Sequence, residues 1–425
     1  MNYNNFIQTG LLAISLLSVS LNAKATDFIV DEAGTYTTIQ SAIDAASDGD
    51  RIFIKNRSNA TPYLQNLTLN KAVSLYSNQN DVQFDMTGNI TIAPVNGGTI
   101  IIQGMHNTSS AIALGTITQN TKIQFIDSKF DATSINVDHA KVIADFLGNT
   151  INTNTSVRLS FGDFIGNELL STATSTGLLA YSNLYAADPN TQTARIVGNR
   201  IIYNSSTNST YGIYYLGKGL PYIANNYIKY NASSNSGLYV SLTNVTLTNK
   251  PVIIENNTIH NNNNNTGGGY VISFLALSTA QAFIIQNNIL NGYNGNVYSI
   301  NMTAATYTNT ASSINSNVSN STIAIFDPSV IVASNFGNTI NAPITIDNSA
   351  TGAVSSTNAI DKGNPNSPYD IDLTRNDRGC FGGPFSHNNF FPLHTGAAKV
   401  YYMQLSSYTL HQGDNLTING EGLDR

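Results

Sequence analysis

Ile253-Ile254-Glu255-Asn256-Asn257-Thr258-Ile259 is the stretch whose reading decides the fold. It returns as Ile284-Ile285-Gln286-Asn287-Asn288-Ile289-Leu290 and as Tyr222-Ile223-Ala224-Asn225-Asn226-Tyr227-Ile228. Earlier versions are Arg195-Ile196-Val197-Gly198-Asn199-Arg200-Ile201, Asp163-Phe164-Ile165-Gly166-Asn167-Glu168-Leu169 and Asp145-Phe146-Leu147-Gly148-Asn149-Thr150-Ile151. Weaker copies surround Ser128 and Asn317. With Ser128 and the last Asn of each copy as the mark, the steps between marks are 21, 18, 32, 27, 31, 31 and 29 residues by subtraction. A spacing in this range predicts a solenoid with one turn of backbone per repeat.

Three places before the mark the residue is always apolar: Phe125, Phe146, Phe164, Ile196, Ile223, Ile254, Ile285, Ile314. Two places after it stand Phe130, Ile151, Leu169, Ile201, Ile228, Ile259 and Leu290, with Ser319 breaking the column. Same-face residues of a strand lie an even number apart, and these columns are five apart. The alternation therefore slips at the mark, and Asn tolerates the left-handed backbone of a tight bend. Strand, bend, strand follows, with both columns inside and amide side chains free to bond between coils. A second phrase, Gly177-Leu178-Leu179, Gly212-Ile213-Tyr214, Gly237-Leu238-Tyr239, Gly269-Tyr270-Val271 and Gly295-Asn296-Val297-Tyr298, predicts a third strand per coil.

Composition agrees. Roughly one residue in seven is Asn, charged residues are 10% of the 425, and the net charge is −6 with no basic cluster, which argues against a nucleic-acid partner. A lone Cys380 excludes an internal disulfide framework. Residues 1–25 read as a secretory signal, with an apolar run from Leu11 to Leu21 ahead of Ala23-Lys24-Ala25, so the mature chain is expected outside the cytoplasm with no membrane span. Residues 26–55 read as an N-terminal cap. There Thr37-Thr38-Ile39-Gln40 is a capping box, and Ile39, Ala42, Ile43 and Ala46 fall on one helical face. Coils are expected over 56–350, a closing segment over 351–395, and a β-rich tail over 396–425.

Gly34-Thr35-Tyr36-Thr37-Thr38-Ile39-Gln40-Ser41-Ala42-Ile43-Asp44-Ala45-Ala46 resembles the opening of pectinesterases and pectate-lyase-like proteins, and the Asn-ended coils resemble the generic parallel β-helix repeat. Ala359-Ile360-Asp361-Lys362-Gly363-Asn364-Pro365 and Tyr369 to Pro384 resemble the closing segment of secreted bacterial β-helix proteins. The resemblance to this pectin lyase-like superfamily implies an all-β, right-handed parallel β-helix with an N-terminal capping helix, the hand also following from the crossover rule. The tail resembles the first strands of an immunoglobulin-like module, which needs about seven strands.

Four places before the mark faces outward and reads Gln124, Asp145, Asp163, Arg195, Tyr222, Ile253, Ile284, Ser313. Two stacked carboxylates with an Arg on the next rung provide an acid and a base from identical residues, since like charge raises one pKa and the Arg lowers that of the nearer acid. The same oxygens suit Ca²⁺. Pectinesterases use two Asp on adjacent coils, Gln donors and an Arg. Asp163-Phe164-Ile165-Gly166-Asn167 is similar to their nucleophile phrase but one residue shorter, and the Trp of their Arg motif has no counterpart. Asp145, Asp163 and Arg195 are thus the catalytic candidates. Asp370, Asp372 and Asp377 are candidates for Ca²⁺ or for capping turns. Tyr203 and Tyr230, both four places after the mark, join Gln124 and Tyr222 as candidates for stacking on or bonding to sugars. No cofactor is required. Acids are sparse between Glu168 and Asp327, which favours a secreted or surface protein presenting an extended face to a polysaccharide or other macromolecule. A carbohydrate-active esterase or lyase using the Asp/Asp/Arg column, and a structural adhesin or spacer, are the alternatives.

Overall fold

The computed structural model describes residues 25–423 except 80–81, 174–176, 187–192, 204, 206–210, 218, 232–235, 242–249, 263–268, 276–280, 293–297, 303–306, 347–353, 371, 394–398, 406–412, 414 and 416. The signal segment, most of the Asn261–Gly269 run and the expected strand Tyr408-Thr409-Leu410 lie outside the described residues.

The chain is a parallel β-helix. The inner coils each contribute a strand to each of three parallel sheets. Among the described residues the first sheet has 13 strands, from Asp27–Val30 through Phe164–Ile165 and Phe283–Gln286 to Ile331–Ser334. The second runs from Tyr63–Leu64 to Val318–Ser319 and the third from Leu67–Leu69 to Ile300–Met302. Met105–Leu114 and Lys129–Val137 continue unbroken from the second sheet into the third, with a register shift near Asp131–Ser134.

Both apolar columns lie in the lumen in register. Phe125 pairs with Phe146, Phe146 with Phe164, Phe164 with Ile196, and so on to Ile285 with Ile314. Phe130 pairs with Ile151, and the second column continues likewise to Leu290 with Ser319. Every member is fully buried, and parallel coils bury such columns against like residues above and below.

The marked Asn residues form a buried ladder. Each Nδ2 from Asn149 to Asn317 donates to the Oδ1 of the Asn one coil on at 2.8–3.1 Å, ending at Asn338. The same Oδ1 accepts the backbone N–H of the preceding Asn, as Asn288 does from Asn257 at 2.9 Å. The second proton of Nδ2 satisfies a carbonyl one coil back, as from Asn257 to Ile223 at 2.9 Å. Buried amides tolerate no vacancy in such a network. The left-handed bend falls one residue before the mark, not at it: Asp127, Gly148, Gly166, Gly198, Asn225, Asn256, Asn287, Ser316 and Gly337 have φ between 45° and 67°. The mark itself points inward, which leaves the bend to its neighbour.

At the N-terminal end the helix Ile39–Ala45 (α1) buries Ile39, Ala42 and Ile43 against Asp27–Val30, Arg51–Ile54 and Leu67–Leu69. Thr38, not Thr37, is its N-cap, accepting from Ser41 N at 3.1 Å. Gln40 does not complete a capping box; its side chain donates to Asp44 and accepts from Thr68 N at 2.8 Å.

Residues 358–370 and 372–392 lie along the side of the coil stack and not across its far end. They run back along the corner between the first and second sheets as a strap. Asn225, Asn256 and Asn287 hold its backbone: Asn225 Nδ2 donates to Cys380 O at 3.2 Å, Asn256 Nδ2 to Asp377 O at 2.8 Å, and Asn364 N donates to Asn287 Oδ1 at 2.6 Å. Further on, Phe385 and Phe390 cover an outer apolar row, Ile126, Leu147, Ile165, Val197 and Ala224. Cys380 packs with Ile202 and Tyr227, its thiol pushed up to about 12 by burial. The tail forms a two-stranded antiparallel hairpin, Lys399–Leu405 with Ile418–Leu423.

Candidate functional site

The outward column is assembled as expected, but its groups are committed. The coil between Asp145 and Asp163 is short, and Phe164–Ile165 is a strand of only 2 residues. The backbone ladder is interrupted there, and carboxylates supply the missing acceptors. Asp145 Oδ1 accepts from Asp163 N at 3.1 Å, and Asp163 Oδ1 from Arg195 N at 3.0 Å. Gln124 Nε2 donates to Asp145 Oδ2 at 3.2 Å, and Lys122 Nζ lies 3.0 Å from the same oxygen.

Arg195 donates to Asp163 Oδ2 from Nε at 3.0 Å and from Nη2 at 2.5 Å. Its other edge meets Glu421 of the hairpin, Nη1 to Oε1 at 2.8 Å and Nη2 to Oε2 at 2.9 Å. Burial raises the Asp163 carboxyl and outweighs the opposing hydrogen bonds from Arg195, with Asp145 adding to the rise. This corrects the expectation that the Arg would leave the nearer acid lowered: the site is too desolvated. Burial lowers the Arg195 guanidinium, but the bonds from Glu421 and Asp163 win and hold it protonated.

Tyr222 lies one rung beyond, with its OH donating to Glu255 Oε1 at 2.7 Å and its ring edge-on to Phe385. Tyr203 and Tyr230 are not surface residues. Both are buried in the lumen, Tyr230 fully, with its OH donating to Tyr270 O at 3.4 Å. Two places after the mark is inside, so four places after is inside too; they are core, not a sugar platform.

Asp370, Asp372 and Asp377 serve turns in the strap. Asp370 accepts from Asp377 N at 2.8 Å and from Gly383 N, Asp372 from Thr374 N at 3.0 Å, and Asp377 from Asp361 N at 2.7 Å. Burial pushes Asp370 up to about 6. Among the described residues no group of three His, Cys, Asp or Glu is placed to hold a metal ion.

A different aromatic site lies on the outer face of the third sheet. Tyr214 and Tyr239 pair in register and stack, ring centroids 4.9 Å apart at 12°. Tyr211 completes the cluster, 5.0 Å from Tyr214 and 4.9 Å from Tyr239. All three are half-buried. The sequence signal was present in Gly212-Ile213-Tyr214 and Gly237-Leu238-Tyr239, where Ile213 and Leu238 point inward and leave each Tyr outward.

No protein-family model and no curated protein matches the chain. Among solved structures it is similar to one described as Geobacillus virus E2 ORF18, at 12% identity and a TM-score of 0.32, over 80% of this chain and 64% of that one. The chain thus spans less than two thirds of that structure's length. Among the described residues no helix is long and apolar enough to cross a membrane.

Proposed function

We propose that this is a secreted or cell-surface protein that presents its coil faces to a polysaccharide and binds it without transforming it. The Tyr211, Tyr214 and Tyr239 cluster carries the reading. Its rings are pre-ordered by mutual packing, so little rotamer freedom is lost on binding, and an aromatic ring with a polar rim suits the apolar face and hydroxyls of a sugar. The cluster lies away from the strap, whose apolar contacts are with the first corner and the second sheet. The carboxylates of the Asp145, Asp163 and Arg195 column are engaged with backbone N–H groups and Arg195, which supports binding over catalysis.

The test is retention of the protein on a panel of immobilised neutral and acidic polysaccharides, with Tyr214→Ala and Tyr239→Ala. Each substitution is expected to weaken the bound member about tenfold, the loss of an aromatic contact of roughly 1–1.5 kcal/mol. Retention that neither substitution alters, or no retention on any member, overturns the reading.

A further inference from the structure

A cleft of about 750 Å³ lies between the outer face of the first sheet and the C-terminal hairpin. Pro221, Tyr222 and Ile253 line it along the first sheet, Phe385 of the strap also borders it, and Lys250, Arg195 and Glu421 contribute the charges used below. Tyr222 is fixed by Glu255, whose second oxygen accepts from Gln286 Nε2 at 2.9 Å.

Arg195 is pre-organised at one end. Asp163 grips its Nε edge, so the Nη1–Nη2 edge is aimed outward, where it receives Glu421 through two bonds of 2.8 and 2.9 Å. That fork is how arginine takes any carboxylate. The two partners are unequally placed: the Arg195 side chain is 19% exposed, whereas that of Glu421 is 43% exposed. Glu421 rides on a two-stranded hairpin, an element that is marginal without support. The firm half of the ion pair therefore belongs to the coil stack, and the loosely held half is the carboxylate.

We infer that Glu421 is a resident pseudo-ligand, and that the cleft binds a carboxylate-bearing sugar chain whose acid group replaces Glu421 on Arg195. The hairpin is then a competitor built into the chain. Its departure exposes the guanidinium edge, and Lys250 adds a second positive charge, set against the Glu255 carboxylate on the same wall, which is engaged by Tyr222 and Gln286. Only the naming of the ligand as a sugar rests on the polysaccharide reading above.

The test is calorimetric titration with a hexameric uronate oligosaccharide and its carboxyl-reduced counterpart. Glu421→Gln is expected to tighten the uronate about tenfold, the scale of one charge-assisted pair released from competition, and to leave the reduced oligosaccharide unchanged. Arg195→Gln is expected to erase the preference for the uronate. In the unmodified protein, saturating uronate should raise hydrogen exchange across 399–405 and 418–423. Unchanged or weaker uronate binding by Glu421→Gln, or hairpin exchange that bound uronate leaves unaltered, overturns the inference. If Arg195→Gln fails to fold, the Glu421→Gln titration decides alone, because Glu421 is not part of the coil stack. Uronate binding that survives Tyr214→Ala and Tyr239→Ala while responding to Glu421→Gln upholds the cleft even where the tyrosine platform fails. Tyrosine-dependent retention of a neutral polysaccharide, with no response to Glu421→Gln, sinks the cleft alone.

Discussion

Over six consecutive coils the corner between the first and second sheets is built from one backbone conformation and two residue types, while Asp127, Ser316 and Gly337 occupy it in the flanking coils. In the earlier coils the left-handed residue is Gly148, Gly166 or Gly198, with φ of 64–66°; in the later coils it is Asn225, Asn256 or Asn287, with φ of 52–57°. Both types accept that conformation at little cost, so the bend does not choose between them. The strap does. Where its aromatic rings press on the corner, glycine makes room: a Cβ on Gly166 would come within 2.6 Å, and one on Gly198 within 2.1 Å, of the Phe390 ring. Where its backbone passes, the Asn amides bond to it. A conformational requirement thus leaves a two-letter choice free, and docking of a distant segment uses that freedom.

Exchanging the letters breaks the comparison most directly. Gly198→Asn keeps the φ the corner needs and adds a side chain where Phe390 lies. The clash is expected to cost about 3 kcal/mol or more, read as a lower urea midpoint, with faster proteolysis within 358–392. A variant as stable and as protected as the parent would show that the ring does not depend on the empty corner.

Acid sharpens the comparison, because His387 lies where the two kinds of contact meet. Its backbone N–H donates to Cys380 O at 2.8 Å, and its ring stacks on Phe391 and meets Phe381 edge-on. Neither ring nitrogen has a hydrogen-bond partner among the described residues, and the residue is 2% exposed. Burial, with Arg200 nearby, pushes its pKa down to about 3; Arg200 is itself paired to Glu168 at 2.8 Å. A base with a depressed folded pKa stabilises fully above its unfolded value of 6.5, and that contribution is lost as pH falls from there toward 3. Asp370 works in the opposite sense. Its folded value of about 6 lies above the unfolded 3.8, so it penalises the fold above 6 and is relieved as pH falls toward 3.8. The two offset in part between pH 7 and 4. His387→Phe removes only the first, and is expected to shift the acid dependence of strap stability by on the order of 2–3 kcal/mol in favour of the folded state. Parallel stability curves for parent and variant over that range would remove the buried imidazole from the account.

How much of this could be read beforehand follows from periodicity. Phe164, Ile196 and Ile254 share one lumen because a strict spacing to a marked Asn leaves no other arrangement, and the Asn ladder follows from the same register. The coil ending at Asn338 is hidden from the pattern, since Asn335 stands three places before it where the other coils have an apolar residue. Tyr203 and Tyr230 share an offset from the mark that suggests a surface column, but the strand alternation already puts both inside. The strap has almost no regular secondary structure and hence no period to detect. Its trace in the sequence is indirect: Ile126, Leu147, Ile165, Val197 and Ala224 form an apolar row next to the bend, outside the lumen, that something must cover. Glu421 meets Arg195 across 226 residues, a contact that no local pattern encodes.

The reverse exchange, Asn256→Gly, carries the smallest expected effect and isolates the amide. Glycine keeps the left-handed corner, so no backbone strain enters. What is lost are the bonds from Asn256 Nδ2 to Asn376 Oδ1 and Asp377 O, both 2.8 Å, and the longer ones to Gly379 O at 3.4 Å and from Asn287 Nδ2 at 3.5 Å. Water can reach a loosened strap and recover part of that loss, so the net cost is about 1 kcal/mol, seen as faster hydrogen exchange at Asn376–Gly379 with the lumen strands unaffected. If Asn256→Gly instead destabilised the coils as much as Gly198→Asn, the Asn corner would be part of the solenoid itself and not a dock for the strap, and the two corners would differ in kind and not merely in what they hold.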